Sequence, residues 1–389
     1  MARILVHALA ATAGGGANYL RNFLARLGEL GSSHEWLVMV PADGEFSSQA
    51  PNVRILRHKS GRGAFRRIYH DQIALRRLIK DEAVDLILAT GNFGMLRPPV
   101  PQVLLNRNAL YFSKEHLWEL RRRGEFRELL NTIMRRRLAL ASIGDSVCNV
   151  VPTHAFAGDI KASLPQVTDD RFFVVPHGFD HGAFRRETAD TALPAEKTKR
   201  VLMVSHYNYF RNFETLIRAM AELRRASPTP VELVLTTKLG KGVKDHRYDT
   251  SEAAALVESL GLASCTTMLG TVAHNELQAL YSSADVVVCP SYAESFGHPM
   301  VEAMAMGRPI VASDRPLQRE ICGDAAVYFS TFDPHDLAAR LQDVLADHAL
   351  ASRLASAGPP RAAVYSWERH FRELLGVLDH AMVARRAAA

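Results

Sequence analysis

Short apolar runs alternate along this chain with longer stretches whose apolar residues recur every three or four positions. The first run is Arg3-Ile-Leu-Val-His. After it, Leu20, Phe23, Leu24, Leu27 and Leu30 fall on one face and predict a helix over residues 17–30. Strand-like runs recur at residues 36–40, 53–56, 84–88, 102–105, 148–152 and 172–175, several of them separated by helical patterns. A polar stretch rich in Glu, Thr, Ala and Lys then reaches to about Lys199 and predicts a linker. Beyond it the alternation restarts. Strands are predicted at 200–205, 231–236, 265–269 and 286–289, with helices at 212–225, 251–260 and 275–282. Asp333-Pro334 opens a helix with Leu337, Leu341, Val344 and Leu345 on one face. A last helix places Trp367, Phe371, Leu374, Leu378 and Met382 in register. Repeated strand–helix alternation predicts α/β architecture with parallel, doubly wound sheets.

Composition narrows the picture. The 389 residues are 48% hydrophobic and 23% charged, ample for two cores in a soluble chain. No run approaches the roughly 18 apolar residues of a membrane span, and Met1-Ala-Arg-Ile-Leu-Val-His enters a strand without the shape of a signal peptide. Cys148, Cys265, Cys289 and Cys322 lack metal-ligand spacing, as expected of reduced thiols in a cytoplasmic protein. Residues 1–180 hold 24 Lys and Arg against 17 Asp and Glu, and residues 181–389 hold 23 against 24. The basic excess therefore sits in the first half, concentrated in two amphipathic helical patterns, residues 65–80 and 120–138. Either these are solvated faces of an Arg-rich chain, or they attract anionic lipid through residues such as Arg121, Arg122 and Arg123. Nothing in the pattern supplies a reader of nucleic-acid grooves.

The densest chemistry lies between Val286 and Ser313. The β-branched run Val286-Val287-Val288 reads as a buried strand. A polar loop with Glu294 and Gly297 follows, Pro299 suits the first turn of a helix, and Gly307 ends it before Pro309-Ile310-Val311-Ala312. Glu302 is expected in the first helical turn, seven residues separating it from Glu294. A helix start facing the carboxyl end of a parallel strand favours an anion such as a diphosphate. Carboxylates beside it accept hydrogen bonds from hydroxyls. The bland alternative is a pair of capping or solvated glutamates. Gly14-Gly15-Gly16, between strand and helix, is expected as a flexible turn. It lacks the Gly-x-Gly-x-x-Gly spacing of a nicotinamide site, and no such cofactor is expected.

The strand, the Glu-Ser-Phe-Gly-His-Pro loop, the glutamate spacing and the Gly-Arg-Pro stop together resemble the donor-site signature of the retaining glycosyltransferases of family four. Val175-Pro176-His177-Gly178-Phe179-Asp180 is similar to that family's hinge motif, with His177 at its Asn position. The resemblance implies a GT-B fold, two doubly wound Rossmann-like domains facing across a cleft. It sets an acceptor-side domain over 1–182, with helix 367–389 crossing back to it, and a nucleotide-sugar domain over 183–366. It implies transfer of a hexosyl unit from a nucleoside-diphosphate sugar to a hydroxyl of a glycan or lipid-linked acceptor, with retention, in glycan, lipopolysaccharide or glycolipid assembly. A nucleotide-sugar 2-epimerase or a non-catalytic nucleotide-sugar-binding protein is the alternative. The expected location is cytoplasmic, with peripheral attachment to the inner face of the membrane if the basic segments bind lipid.

Site roles follow from the same resemblance. Glu302 holds ribose hydroxyls, Glu294 orients the donor sugar, and Ser295, Phe296 and Gly297 offer backbone donors. Arg211 stands at the family's Lys position and His206 at its Arg position, both beside the leaving diphosphate, where a cation stabilises growing charge. Gly15 and Gly16 approach the donor from the other domain. Gly270, Thr271 and Val272 flank the base. On the acceptor side Asn106 replaces a histidine frequent in relatives. His154 replaces a serine at a helix start and is either an acceptor contact or a satisfied helix-start histidine. No Asp-x-Asp triplet occurs on a loop, so metal chelation of the diphosphate is not expected.

Overall fold

The structure is a computed structural model that describes residues 1–11, 14–29, 34–58, 70–182, 184 and 198–388. Most of the expected linker, and residues 65–69 of the first basic pattern, lie outside the described residues. The chain forms two compact units, one of residues 1–113, 120–178 and 367–389, the other of residues 114–119 and 179–366.

The first unit is built on seven parallel strands: β1 Arg3–His7, β2 Glu35–Pro41, β3 Val53–His58, β4 Leu86–Ala89, β5 Gln102–Leu105, β6 Cys148–Val151 and β7 Phe172–Val174. They run in the order β3-β2-β1-β4-β5-β6-β7. Side chains alternate across a strand, so β1 feeds two cores. Ile4 and Val6 join Phe23, Trp36 and Phe371 on one face, and Leu5 joins Leu104, Phe156 and Ile160 on the other. Burial of both faces is why β1, β4 and β5 read as nearly continuous apolar runs. The helices include α1 Gly14–Glu29, α2 Leu75–Asp81, α4 Phe126–Asp145 and α5 His154–Lys161, while most of α3, Lys114–Arg122, is assigned to the second unit.

The closing helix Trp367–Ala388 sets Trp367, Phe371, Leu374 and Leu378 into the first of those cores. A Cβ on Gly178 would stand 2.5 Å from the Trp367 Cα, so only glycine permits this approach.

Two sequence expectations change here. Gly14, Gly15 and Gly16 form the first turn of α1 rather than a turn before it. N–H groups of a first turn have no acceptor inside the helix, so the weak helix formers cost least there. The pattern over 120–138 is also not one helix. Gly124 at φ +69° separates α3 from α4, because a left-handed residue cannot continue a right-handed turn.

The second unit repeats the plan with six parallel strands: β8 Lys199–Met203, β9 Val231–Leu235, β12 Thr266–Met268, β13 Val286–Cys289, β14 Ile310–Ser313 and β15 Ala326–Phe329. Their order is β12-β9-β8-β13-β14-β15. A hairpin the sequence did not announce, β10 Lys244–Asp245 with β11 Tyr248–Asp249, follows β9. The helices include α6 Phe213–Ala226, α7 Ser251–Ser259, α8 Leu277–Ser282 and α9 His298–Ala305. Strand order reverses direction between β8 and β13, and the loops leaving the carboxyl ends of those two strands flank the crevice where such sheets bind ligands. No helix among the described residues is long and apolar enough to cross a membrane.

Candidate active site

The loops after β8 and β13 are laced together. Tyr292 donates its N–H to the Phe210 carbonyl at 3.0 Å. The Asn212 amide donates to the Pro290 carbonyl at 3.2 Å and to the Thr331 carbonyl at 2.6 Å. Asn212 sits at φ +59° directly before α6, a conformation Asn tolerates better than most residues. The Ser291 carbonyl accepts from Gln318 at 2.8 Å and from the Ser313 hydroxyl at 2.5 Å. A pocket opens between these loops, lined among others by Ser205, Arg211, Ser291, Glu294, Gly297 and Pro299.

Arg211 ends a short 3-10 turn, Tyr209–Arg211, and its guanidinium stacks 4.7 Å from the Phe210 ring centroid. Its Nη1 donates to the Glu294 carboxylate and lies 3.4 Å from the Ser291 hydroxyl. Burial pushes the Glu294 carboxyl above its ordinary value, while the Arg211 charge and a Ser291 hydrogen bond pull it down. The two residues expected to share the donor thus hold each other across the switch point.

Gly297 opens α9 at φ +82°, and Pro299 follows in the first turn. A Cβ on Gly297 would lie 2.3 Å from the Met300 terminal methyl. The start of α9 reaches the pocket through Gly297, Pro299 and Met300, and a helix start carries a partial positive charge.

Glu302 is not in the first turn. It lies in the second turn of α9, 9% exposed. Its Oε2 accepts a 2.7 Å hydrogen bond from the fully buried Tyr281 hydroxyl of α8. Burial raises the Glu302 carboxyl, and the Tyr281 hydrogen bond and the His274 charge oppose the rise. Tyr281 itself is held well above its ordinary value by burial and by the Glu302 charge. Sequence reading missed Tyr281, since a tyrosine in a short helix carries no signal of its partner. The Cys289 thiol, at the end of β13, is also raised, chiefly by burial.

The remaining candidates scatter. Ser295, Phe296, Glu302, His206 and residues 270–272 do not line this pocket. Phe296 is buried at 1% exposure against Tyr365. Gly270, at φ +80°, packs under the Lys238 stem after the edge strand β12, with Thr271 exposed and Val272 half-buried. His206 is exposed and faces the β10–β11 hairpin.

In the first unit, Gly15 is exposed and Gly16 lies near Ala11 and the Arg107 guanidinium. Arg107, which the sequence did not single out, donates to the Thr90 carbonyl at 2.6 Å and stacks 4.7 Å from the Tyr19 ring centroid. Asn106 is buried at the carboxyl end of β5. His154 is exposed at the start of α5, next to the cap in which Thr153 accepts from the Phe156 N–H.

Residues 184–361 match the family model of glycosyl transferases group 1. The second unit is therefore similar to the group 1 glycosyltransferases over residues 184–361. A D-inositol 3-phosphate glycosyltransferase of Nocardiopsis dassonvillei is 31% identical over 216 residues, covering 54% of this chain and 50% of the relative. The chain spans about half the length of the curated relatives it matches. Likeness of fold runs further than likeness of sequence. Sucrose-phosphate synthase from Thermosynechococcus elongatus superposes with a TM-score of 0.75 at 20% identity, over 99% of this chain and 100% of that one. Anabaena HepE in complex with UDP-glucose gives 0.69 at 17% identity, over 98% and 100%. The fold is GT-B, and the second unit carries the Arg211–Glu294 pair at its switch point.

Proposed function

We propose that this chain is a retaining glycosyltransferase that moves a hexosyl unit from a nucleoside-diphosphate sugar to a hydroxyl acceptor. The observation that carries the proposal is the Arg211–Glu294 pair beside the start of α9, at the crevice of a group 1 domain. A cation and a helix start suit the departing diphosphate, and carboxylates suit sugar and ribose hydroxyls. The fold's likeness to a protein held with UDP-glucose makes UDP-sugars the first donors to test.

In this reading the bond from sugar C1 to the diphosphate oxygen breaks as charge gathers on the leaving group. Arg211 and the partial positive charge at the start of α9 stabilise that charge. The acceptor oxygen attacks C1 on the same face, and its proton passes to the departing phosphate oxygen, so configuration is retained without an enzyme nucleophile. Glu302 meets ribose hydroxyls through Oε1, because Tyr281 orients the carboxylate through Oε2. Glu294 orients the sugar. Asn106 and His154, at the carboxyl ends of β5 and β6, are the acceptor-side candidates.

The acceptor in this proposal is lipid-linked. On α4, Phe126, Leu130 and Met134 recur at four-residue spacing and are 65%, 62% and 56% exposed. Arg127, Arg135 and Arg137 on the same helix are exposed, as are Arg121 and Arg122 before it. An apolar stripe bordered by arginines suits an anionic bilayer surface, at about 1 kcal/mol per basic residue near it.

A transfer assay tests the function. Nucleoside-diphosphate release should require both a UDP-sugar and a hydroxyl acceptor, and the product should keep the donor's anomeric configuration by NMR. Donor binding without turnover on any acceptor, or interconversion of donor epimers, would reject it.

A further inference from the structure

Beside the pocket, the second unit brings His206 to two metal-ligating side chains about 40 positions further on. His206 leaves the loop after β8, and Asp245 and His246 belong to the β10–β11 hairpin. His206 Nδ1 and His246 Nε2 each lie 3.7 Å from the same oxygen, Asp245 Oδ1. All three ligand atoms lie within 4.8 Å of one another. The imidazole rings meet edge to face with centroids 4.9 Å apart.

The carboxylate is oriented for this. Asp245 Oδ2 accepts the Tyr207 N–H at 2.7 Å and the Thr237 hydroxyl at 2.8 Å, which turns Oδ1 toward the two histidines. Anchoring of this kind is what supporting hydrogen bonds do for a metal-bound carboxylate. His246 is held at φ +54°, a left-handed conformation uncommon outside glycine, in the turn of a hairpin whose strands are two residues each. Strained positions persist where the surroundings hold them and cluster at functional sites.

We infer that His206, Asp245 and His246 form a binding site for a zinc-class divalent cation on the second unit. Tetrahedral zinc with bonds of about 2.0–2.1 Å needs its ligand atoms about 3.3–3.4 Å apart. The two histidine–aspartate separations of 3.7 Å close by a few tenths of an ångström, and the histidine–histidine separation, within 4.8 Å, closes as the exposed rings turn. The histidine side chains, 57% and 69% exposed, have room to turn inward, whereas Asp245 at 17% stays put. Two imidazoles with one carboxylate favour zinc over magnesium or calcium. Three protein ligands leave a fourth position for water or an anionic ligand oxygen. The cation site itself stands or falls independently of glycosyl transfer.

The test uses the full chain stripped of metal, with zinc partitioned against a chromophoric chelator. The unmodified protein and His335→Ala, which removes an exposed histidine paired with Glu222, should bind one zinc per chain tightly. His206→Ala and His246→Ala should each bind at least about tenfold more weakly, since losing even a supporting partner costs 10–100-fold. Zinc should raise the melting temperature of the first pair and not of the second. Absence of stoichiometric zinc at micromolar concentrations in the unmodified protein would overturn the inference. So would equal affinity in all four proteins.

Discussion

Replacing Glu294 with glutamine should tighten nucleoside-diphosphate binding while slowing sugar transfer. In the free protein the Arg211 guanidinium is engaged by the Glu294 carboxylate, so a diphosphate must compete for it. The carboxylate also repels the incoming anion. A hydrogen bond to a charged group is worth about 1.5–3 kcal/mol net. Arg211 and Glu294 side chains are 23% and 12% exposed, and solvent screening argues for the lower end, about 1–1.5 kcal/mol. At 1.4 kcal/mol per factor of ten, Glu294→Gln should bind UDP roughly five- to tenfold more tightly. The amide keeps the shape of the side chain but loses the charged acceptor that positions the sugar. Turnover should therefore fall on the order of tenfold or more. Titration calorimetry with UDP gives the first quantity and initial rates with the UDP-sugar give the second. Unchanged or weaker UDP affinity in the variant would refute the competition between carboxylate and diphosphate. Failure of the unmodified protein to bind any nucleoside diphosphate would remove the donor site altogether.

Glu302→Ala should weaken UDP binding by about 1.5–3 kcal/mol, or ten- to about a hundredfold, as ribose hydroxyls lose a charged acceptor; calorimetry reads this, and unaltered affinity removes Glu302 from the site. Gly297→Ala should lower stability by about 1–2 kcal/mol, because an L side chain at φ +82° is disfavoured; chemical denaturation measures it. Burial holds His370 neutral, at a pKa of about 4, with Nδ1 donating to the Pro176 carbonyl and Nε2 accepting from the Tyr19 hydroxyl. Its folded value lies below the unfolded 6.5, so the unfolded chain takes up the proton first and stability falls as pH drops from about 6.5 to 4, by about 3 kcal/mol in all. His370→Gln should flatten that part of the stability–pH curve, and an unchanged slope would refute the assignment. The chain should co-sediment with anionic but not neutral liposomes, reversibly with salt, and the triple change Phe126, Leu130 and Met134→Ser should abolish this; equal recovery with both liposome types would rule out the membrane surface.

Much of the architecture was legible because it rests on local periodicity. A strand buried on both faces must be apolar throughout, and β1, β5 and β13 announce themselves for that reason. The Glu294–Gly297–Pro299 loop was legible because a tight entry into a helix demands particular residues at particular positions. Gly14–Gly16 misled because three glycines signal a turn equally well before a helix and within its first turn, where no intrahelical acceptor is yet required. The break at Gly124 was hidden by apolar spacing that continues across it.

What only the tertiary structure decided is who meets whom. The sequence holds Arg211 and Glu294 83 positions apart, and Tyr281 and Glu302 21 apart. No periodicity records that a strand order of β12-β9-β8-β13-β14-β15 brings the first pair to one crevice. The same holds for His206 with Asp245 and His246, which a spacing search for metal ligands passes over. Their meeting depends on a hairpin with two residues per strand, too short to leave a pattern of alternation. Sequence by itself determined most of the strands and helices, since those follow from each residue's own burial and dihedral preferences. Parallel pairing between distant strands chose the neighbours, and with them the chemistry available at each site.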